Sequence, residues 1–283
     1  MFERISNGFA LARSSWAVLL RDKHLLIFPV VSGILFLLIL ASFAIPLAVL
    51  VDWQQVGQQA NNRHVPWWTY VVAFAFYFCT YFVATFCNAA LISCTLLRFN
   101  GETPTVGDGF RMAFARLPQI FAWAFVSATV GVLLKAVEQI HEKVGDLIAS
   151  LLGTAWSIMT FFVVPVLVVE KVGPIEAVKR SLQLLRKTWG EALVGRAGIG
   201  LFLFLLAIPV FLVFAGGVVL LATGHVPFGI ALLVAGGVLL LMYSAVSSAL
   251  HTILIASLYQ YAADDRVPEG FDRESFSSAF GRA

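Results

Sequence analysis

Six long runs of apolar residues constrain the fold of this chain more than any other feature of its sequence. The shortest run has 19 residues and the longest has 37, and a helix needs about 20 mostly apolar residues to cross the hydrocarbon core of a bilayer. The runs are continuously apolar rather than alternating, which excludes a transmembrane β-barrel. They predict six transmembrane helices, over residues 25–51, 67–97, 119–137, 145–169, 192–222 and 226–262.

Composition indicates the same fold class. Of the 283 residues, 60% are hydrophobic and 12% are charged, whereas an ordinary soluble domain has roughly 45–50% apolar and about 25% charged residues. A soluble globular domain is therefore excluded, and the formal net charge of +3 is too small to indicate a nucleic-acid partner. We expect an all-α, polytopic integral membrane protein.

The polar connection at 174–190 has the pattern of an amphipathic helix that lies at the membrane interface. Pro174 follows Gly173 at its start, where proline is favoured in helices, and polar or basic residues fill the side opposite an apolar stripe. Glu170, which comes just before this helix, is expected to face its basic side as a structural contact. The stripe consists of Ile175, Val178, Leu182, Leu185 and Trp189.

Two further polar stretches repeat this scheme. Residues 2–19 carry apolar residues at steps of three and four, and residues 105–117 begin with Thr105 and Asp108 in the spacing of a capping box. We therefore expect three units, each an amphipathic interfacial helix followed by a transmembrane hairpin. The expected boundaries are one integral membrane domain over 1–262, with units 1–97, 98–169 and 170–262, and a short cytoplasmic tail over 263–283.

The basic residues outside the runs predict the orientation of the chain. Fifteen Lys and Arg residues fall on the amino-terminal segment, the second and fourth connections and the tail, against three on the first and third connections. Connections rich in Lys and Arg stay on the cytoplasmic side of the membrane. We therefore expect both termini to be cytoplasmic.

The densest basic patch lies on the 174–190 helix and is the first candidate site. Each cation near an anionic leaflet contributes roughly 1 kcal/mol to membrane binding, so the patch predicts binding to anionic lipid headgroups. The preference for cytoplasmic positive charge places the same residues there without lipid specificity, and the sequence leaves both interpretations open. The patch consists of Lys179, Arg180, Arg186 and Lys187.

Polar side chains inside the apolar runs form a second candidate site, because such groups are costly in a membrane. Asn88 lies in the second run, Arg196 about one turn into the fifth, and His251 in the sixth, one turn after Ser247. If these side chains converge on one cavity, they predict a transport pathway. If they lie in separate helix contacts, they stabilise packing and require no ligand.

Small residues at four-residue spacing predict close helix packing in two of the runs. Such faces bring helix backbones together either between hairpins or between two copies in a homo-oligomer, and the sequence leaves both options open. The faces are Gly145, Ala149, Gly153 and Ser157 in the fourth run, and Ser244, Ser248, Thr252 and Ala256 in the sixth.

Enzyme motifs are missing from the sequence. It has no P-loop, HExxH, GxSxG or dinucleotide-binding fingerprint, and no acidic cluster arranged to hold metal ions. We therefore expect no catalytic residue, no metal and no cofactor, and we do not expect an enzyme.

The stretch from Pro165 to Ser181 resembles a signature of a broad group of bacterial integral membrane proteins. This group includes the YciC-like proteins and the membrane domain attached to some glycerophosphoryl diester phosphodiesterases. The stretch from Ala12 to Leu19, with Phe28 and Pro29 downstream, is similar to a bacterial membrane protein family of unknown function. The resemblance implies a multi-pass protein of the bacterial cell (inner) membrane. It implies no phosphodiesterase activity, because the sequence shows no counterpart of the metal-binding catalytic domain.

These features favour a non-enzymatic protein of the inner leaflet that engages anionic lipid, in membrane homeostasis or as a scaffold. The alternative is a small-solute or lipid transporter or channel with a polar cavity around Asn88, Arg196 and His251. The expected partners are membrane lipids, with a second copy of the chain as an option through the small-residue faces.

Overall fold

The computed structural model describes residues 2–50, 67–138, 144–269 and 271, and within these ranges the side chains of 2–8, 50, 144 and 189–197 lie outside the description. All regular elements of the described residues are helices. Six of the helical segments there are long and apolar enough to cross a membrane. The prediction of an all-α fold with six transmembrane spans is confirmed. The spans are Lys23–Val49, Trp67–Phe99, Leu117–Glu138, Gly145–Val169, Gly198–Ala222 and Val226–Asp264.

Outside the spans, helices α1, α4 and α8 occupy the three positions at which the sequence predicts interfacial helices. A short 3-10 turn, Lys23–Leu26, joins α1 to α2. The α-helices of the described residues are α1 (Phe2–Arg21), α2 (Ile27–Leu50), α3 (Trp67–Phe99), α4 (Val106–Phe114), α5 (Leu117–Glu138), α6 (Val144–Met159), α7 (Val163–Val169), α8 (Pro174–Lys187), α9 (Trp189–Ala222) and α10 (Val226–Asp264).

The predicted capping box starts α4. The Asp108 carboxylate accepts a hydrogen bond from the Thr105 amide at 3.0 Å, and the Thr105 hydroxyl accepts one from the Asp108 amide at 3.2 Å. Two amides that have no partner inside the helix are thereby satisfied, which fixes where α4 begins.

The chain divides into two compact units, and each is assembled from separate stretches of sequence. The division into three hairpin units stays a prediction. The first unit contains Met1–Val30, Leu91–Gly109 and Leu184–Ala283, and the second contains Val31–Ala90 and Phe110–Gln183.

In the first unit, α1 packs against α9 and α10. Phe202 of α9 contacts two aromatic side chains of α1, with ring centroids 5.8 Å from Phe9 and 5.6 Å from Trp16. Such pairs contribute about 0.5–1.5 kcal/mol each beyond the area they bury. The buried face of α1 consists of Leu11, Ala12, Ser15, Val18 and Leu19.

The last turn of α3 connects two other parts of the first unit. Arg98 forms an ion pair with Asp22, between α1 and the 3-10 turn, with Nε and Oδ2 2.8 Å apart. Two residues further on, Asn100 Oδ1 accepts a hydrogen bond from Gln260 Nε2 of α10 at 3.3 Å. The carboxyl end of the second span is thus held by both the first and the last helical segments of the chain.

In the second unit, phenylalanines on α3 form a ladder at four-residue spacing. Phe78 packs edge-to-face with Phe121 of α5, and Phe86 does the same with Phe114 of α4, each at a centroid distance of 4.9 Å. Edge-to-face contact is a favoured aromatic geometry. The ladder consists of Phe74, Phe78, Phe82 and Phe86.

Two hairpins bring their helices together at a buried glycine. A Cβ on Gly229 of α10 would lie 2.9 Å from the backbone nitrogen of Leu221 in α9. A Cβ on Gly145 of α6 would lie 2.7 Å from the carbonyl oxygen of Val137 in α5. Because a backbone atom is among the obstacles at both glycines, movement of side chains alone does not relieve the clash. Part of the predicted small-residue face of the fourth span, including Gly145, therefore packs within its own hairpin.

Gly229→Ala should lower the free energy of unfolding by about 1–3 kcal/mol, since the added methyl group overpacks a backbone contact. The matched control is Gly237→Ala on the same helix, where a Cβ meets no atom within 4 Å. That change should be neutral or stabilise by up to about 1 kcal/mol, because alanine favours the helix over glycine. Equilibrium unfolding in mixed micelles, followed by circular dichroism, measures both. Equal effects of the two changes would contradict the close approach at Gly229.

Candidate functional site

Helix α8 carries the predicted basic patch, and its buried face is rotated away from the predicted apolar stripe. Leu185 of that stripe is buried, Val178 and Leu182 are half-buried, and Ile175 is 72% exposed. The side chain of Trp189, the last residue of the stripe, lies outside the described residues. The buried positions of α8 are instead Ala177, Ser181, Leu184 and Leu185.

The rotation has its cause in a break in the fourth span. This span consists of α6 and α7, with a turn at residues 160–162 between them. Pro165, in the first turn of α7, has no N–H to donate to the carbonyl of Phe161, four residues earlier, and this lost hydrogen bond weakens the helix beside the turn. The Val163 amide donates to the Thr160 carbonyl at 3.1 Å, which tightens the turn.

Helix α8 satisfies an amide that the break leaves open. The Phe162 N–H donates to the Ser181 hydroxyl at 2.9 Å, and both residues are fully buried. Non-helical backbone inside a membrane span requires such partners, because no water reaches it. The small side chain of Ser181 therefore faces the span, and the larger Ile175 is turned outward.

Two arginines bind the carboxyl end of α7 and the residue that follows it. Arg116, in the turn between α4 and α5, donates through Nε to the carbonyl oxygen of Val168 at 2.9 Å. Arg180 of α8 donates through Nε to both carboxylate oxygens of Glu170, at 2.9 and 3.1 Å. The expected contact of Glu170 with the basic side of α8 is confirmed. The two side chains are 37% and 25% exposed, so solvent screening limits the pair to about 1 kcal/mol.

The other three basic residues of the patch, Lys179, Arg186 and Lys187, are exposed. Successive helical residues are rotated by about 100°, so Lys179 and Arg186 lie within about 40° of Ile175. Lys187 lies about 100° further round than Arg186, close to the position of Glu176. The patch therefore has three parts. Lys179 and Arg186 form a strip on the side of α8 that carries Ile175, Lys187 lies on the far flank, and Arg180 is ion-paired with Glu170.

Of the three polar residues predicted inside the spans, two have side chains that the structure describes. Asn88 is half-buried on α3, in the second unit. His251 belongs to the first unit, and its Nδ1 lies 3.0 Å from the carbonyl oxygen of Ser247 on the same helix. Because a carbonyl only accepts, Nδ1 carries the proton in this contact. The side chain of Arg196 lies outside the described residues, and the convergence of the three on one cavity stays a prediction.

Sequence reasoning missed two of the residues that build this region. Ser181 and Arg116 are polar residues in connections between the spans, and the local sequence pattern assigns neither of them a contact. Their partners are 19 and 52 residues away, so no local pattern shows them. Pro165 in an apolar run was the available signal for an interruption of the fourth span.

The geometry defines an integral membrane protein whose fourth span is interrupted and held by a basic helix. Over residues 68–270 the chain matches the model of a family of unknown function, DUF6159. This is more than half of the chain, and the protein belongs to that family. No curated protein and no solved structure matches it.

Ser181→Ala should lower the free energy of unfolding by about 1–3 kcal/mol, because the buried Phe162 N–H loses its acceptor. The matched control is Ser157→Ala on α6, at an exposed position, where the change should stay within about 0.5 kcal/mol. Unfolding in mixed micelles again provides the measurement. A Ser181→Ala variant as stable as the Ser157→Ala variant would rule out the structural role of this hydrogen bond.

Proposed function

We propose that this protein is a non-enzymatic component of the bacterial inner membrane, acting as a scaffold or in membrane homeostasis. Helix α8 binds anionic lipid headgroups in the cytoplasmic leaflet. Both termini lie on that side, in agreement with the excess of Lys and Arg on the connections around α8.

The exposure of Ile175 carries this proposal. Ile175 is 72% exposed on a mostly polar helix. Moving such a large aliphatic side chain from water into an apolar phase lowers the free energy of the system. Val169, at the end of α7, is also exposed, at 45%. Apolar side chains beside exposed cations are typical of a helix that lies in the headgroup region.

The positions of the cations identify the binding strip as Lys179 and Arg186. Both share the face of α8 that carries Ile175, so their charged groups reach the headgroups when Ile175 enters the acyl boundary. Arg180 serves the fold through Glu170, and Lys187 points to the opposite flank. The lipid site is therefore narrower than the whole basic patch.

We also propose a distant relationship to the YciC-like proteins and to the membrane domain attached to some glycerophosphoryl diester phosphodiesterases. Its support is the signature from Pro165 to Ser181. Three of the residues in that signature, Glu170, Arg180 and Ser181, make the contacts that hold the fourth span.

The double variant Lys179→Gln, Arg186→Gln should lose affinity for phosphatidylglycerol by about 10-fold or more at low salt, because each cation near anionic lipid contributes roughly 1 kcal/mol. Lys187→Gln should change it by less than about 2-fold, because this residue lies on the flank of α8 that faces away from Ile175. The measurement is the retention of phosphatidylglycerol against phosphatidylcholine from mixed micelles, counted by native mass spectrometry at low and high salt.

The matched control removes cations from exposed positions off α8, in the triple variant Arg13→Gln, Arg21→Gln, Arg266→Gln. This variant should lose less phosphatidylglycerol than the α8 double variant does, although it removes one more cation. If it loses as much lipid as the α8 double variant, the effect follows total charge and the proposal is wrong. Unchanged retention in the α8 double variant would also overturn it.

A further inference from the structure

Lys171 has a backbone conformation that a lysine adopts only at a cost. Its φ is 59°, and Asp265, at 54°, is the other non-glycine residue with a positive φ in the described part of the chain. In this left-handed region the Cβ atom of an L-residue lies too close to the following carbonyl oxygen. Aspartate tolerates the conformation better than lysine does. Lys171 follows Glu170, the C-cap of α7, at a position where helices usually carry glycine.

The strained residue lies beside the α8 strip. Glu170 is joined to Arg180 by hydrogen bonds of 2.9 and 3.1 Å, and neighbouring Cα atoms are about 3.8 Å apart. Lys171 and Lys179 therefore each lie one residue from this ion pair, and both are exposed. Since Arg180 neutralises Glu170, the two lysines leave a positive charge at this corner of the second unit.

The exposed apolar groups of the corner indicate which phase it meets. Val169 precedes the Glu170–Lys171 turn by one residue, and Ile175 follows it in the first turn of α8; both are exposed. Lys171 lies between these two apolar residues along the chain, and apolar side chains that enter the acyl boundary bring neighbouring cations to the level of the lipid phosphates. Lysine suits this ligand, since its ammonium binds phosphate as a point charge without a fixed direction.

We infer that Lys171 is a headgroup-binding residue, which binds the phosphate of an anionic glycerophospholipid together with Lys179. The inference rests on the proposed function of α8 and extends its strip across the turn that precedes the helix. Glycine at position 171 would relieve the backbone and remove the ligand, so stability and lipid binding should change in opposite directions.

The test uses Lys171→Gly in the full chain, with two matched controls. Lys171→Arg keeps the charge and the strain, and Asp265→Gly relieves the other left-handed residue without removing a cation. Lys171→Gly should raise Tm by about 1–3 °C and weaken phosphatidylglycerol retention by about 5-fold at low salt. Lys171→Arg should match the original protein in both measurements, and Asp265→Gly should keep its lipid retention.

Three other results would each overturn the inference. A rise in Tm with unchanged lipid retention makes Lys171 incidental to the site, while a loss of retention in the Lys179, Arg186 double variant still supports the proposed function of α8. A fall in Tm contradicts the strain at position 171. A thermal shift caused by inorganic phosphate in phosphatidylcholine micelles, and abolished by Lys171→Gly, would identify a soluble phosphate as the ligand rather than a lipid.

Discussion

The hydrogen bond from the Phe162 amide to the Ser181 hydroxyl is the contact on which this region depends. An open backbone amide in a membrane span costs several kcal/mol, because neither water nor lipid tails accept its hydrogen bond. Pro165 removes a helical hydrogen bond beside the interruption of the fourth span, and Ser181 provides the acceptor for the Phe162 amide at 2.9 Å. The same contact sets the rotation of α8 about its axis. The direction of every cation on that helix follows from it.

The stretch between Pro165 and Ser181 contains this contact and the ion pair beside it. Four of its residues have a structural role: Glu170 and Arg180 form the ion pair, and Ala177 and Ser181 lie on the buried face of α8. These contacts cover an interruption of the fourth span, which is a property of the fold. They therefore explain the architecture and say nothing about activity.

Much of the fold could be predicted from the sequence, because the length and hydropathy of a span are local properties. The six predicted runs agree with the six spans to within a few residues at most ends, and the capping box at Thr105 and the contact of Glu170 with α8 were also predicted. The buried face of α8 was not. In a soluble protein an apolar stripe faces the interior, but at a membrane an apolar side chain such as Ile175 has a second apolar phase to face. The inward position of Ser181 depends on a partner 19 residues away, which periodicity does not report.

The directions of the α8 cations separate two physical explanations for one sequence pattern. The preference for positive charge on the cytoplasmic side depends on how many Lys and Arg residues a connection carries, whichever face they occupy. Lipid binding depends on the face, because a headgroup is reached only from the side of the helix that enters the interface. Docking through Ser181 and Arg180 leaves Lys179 and Arg186 on the side of α8 that carries the exposed Ile175, and Lys187 on the other flank. Charge count alone gives these three cations equal weight, whereas the proposed lipid binding depends on the side of the helix that each of them occupies.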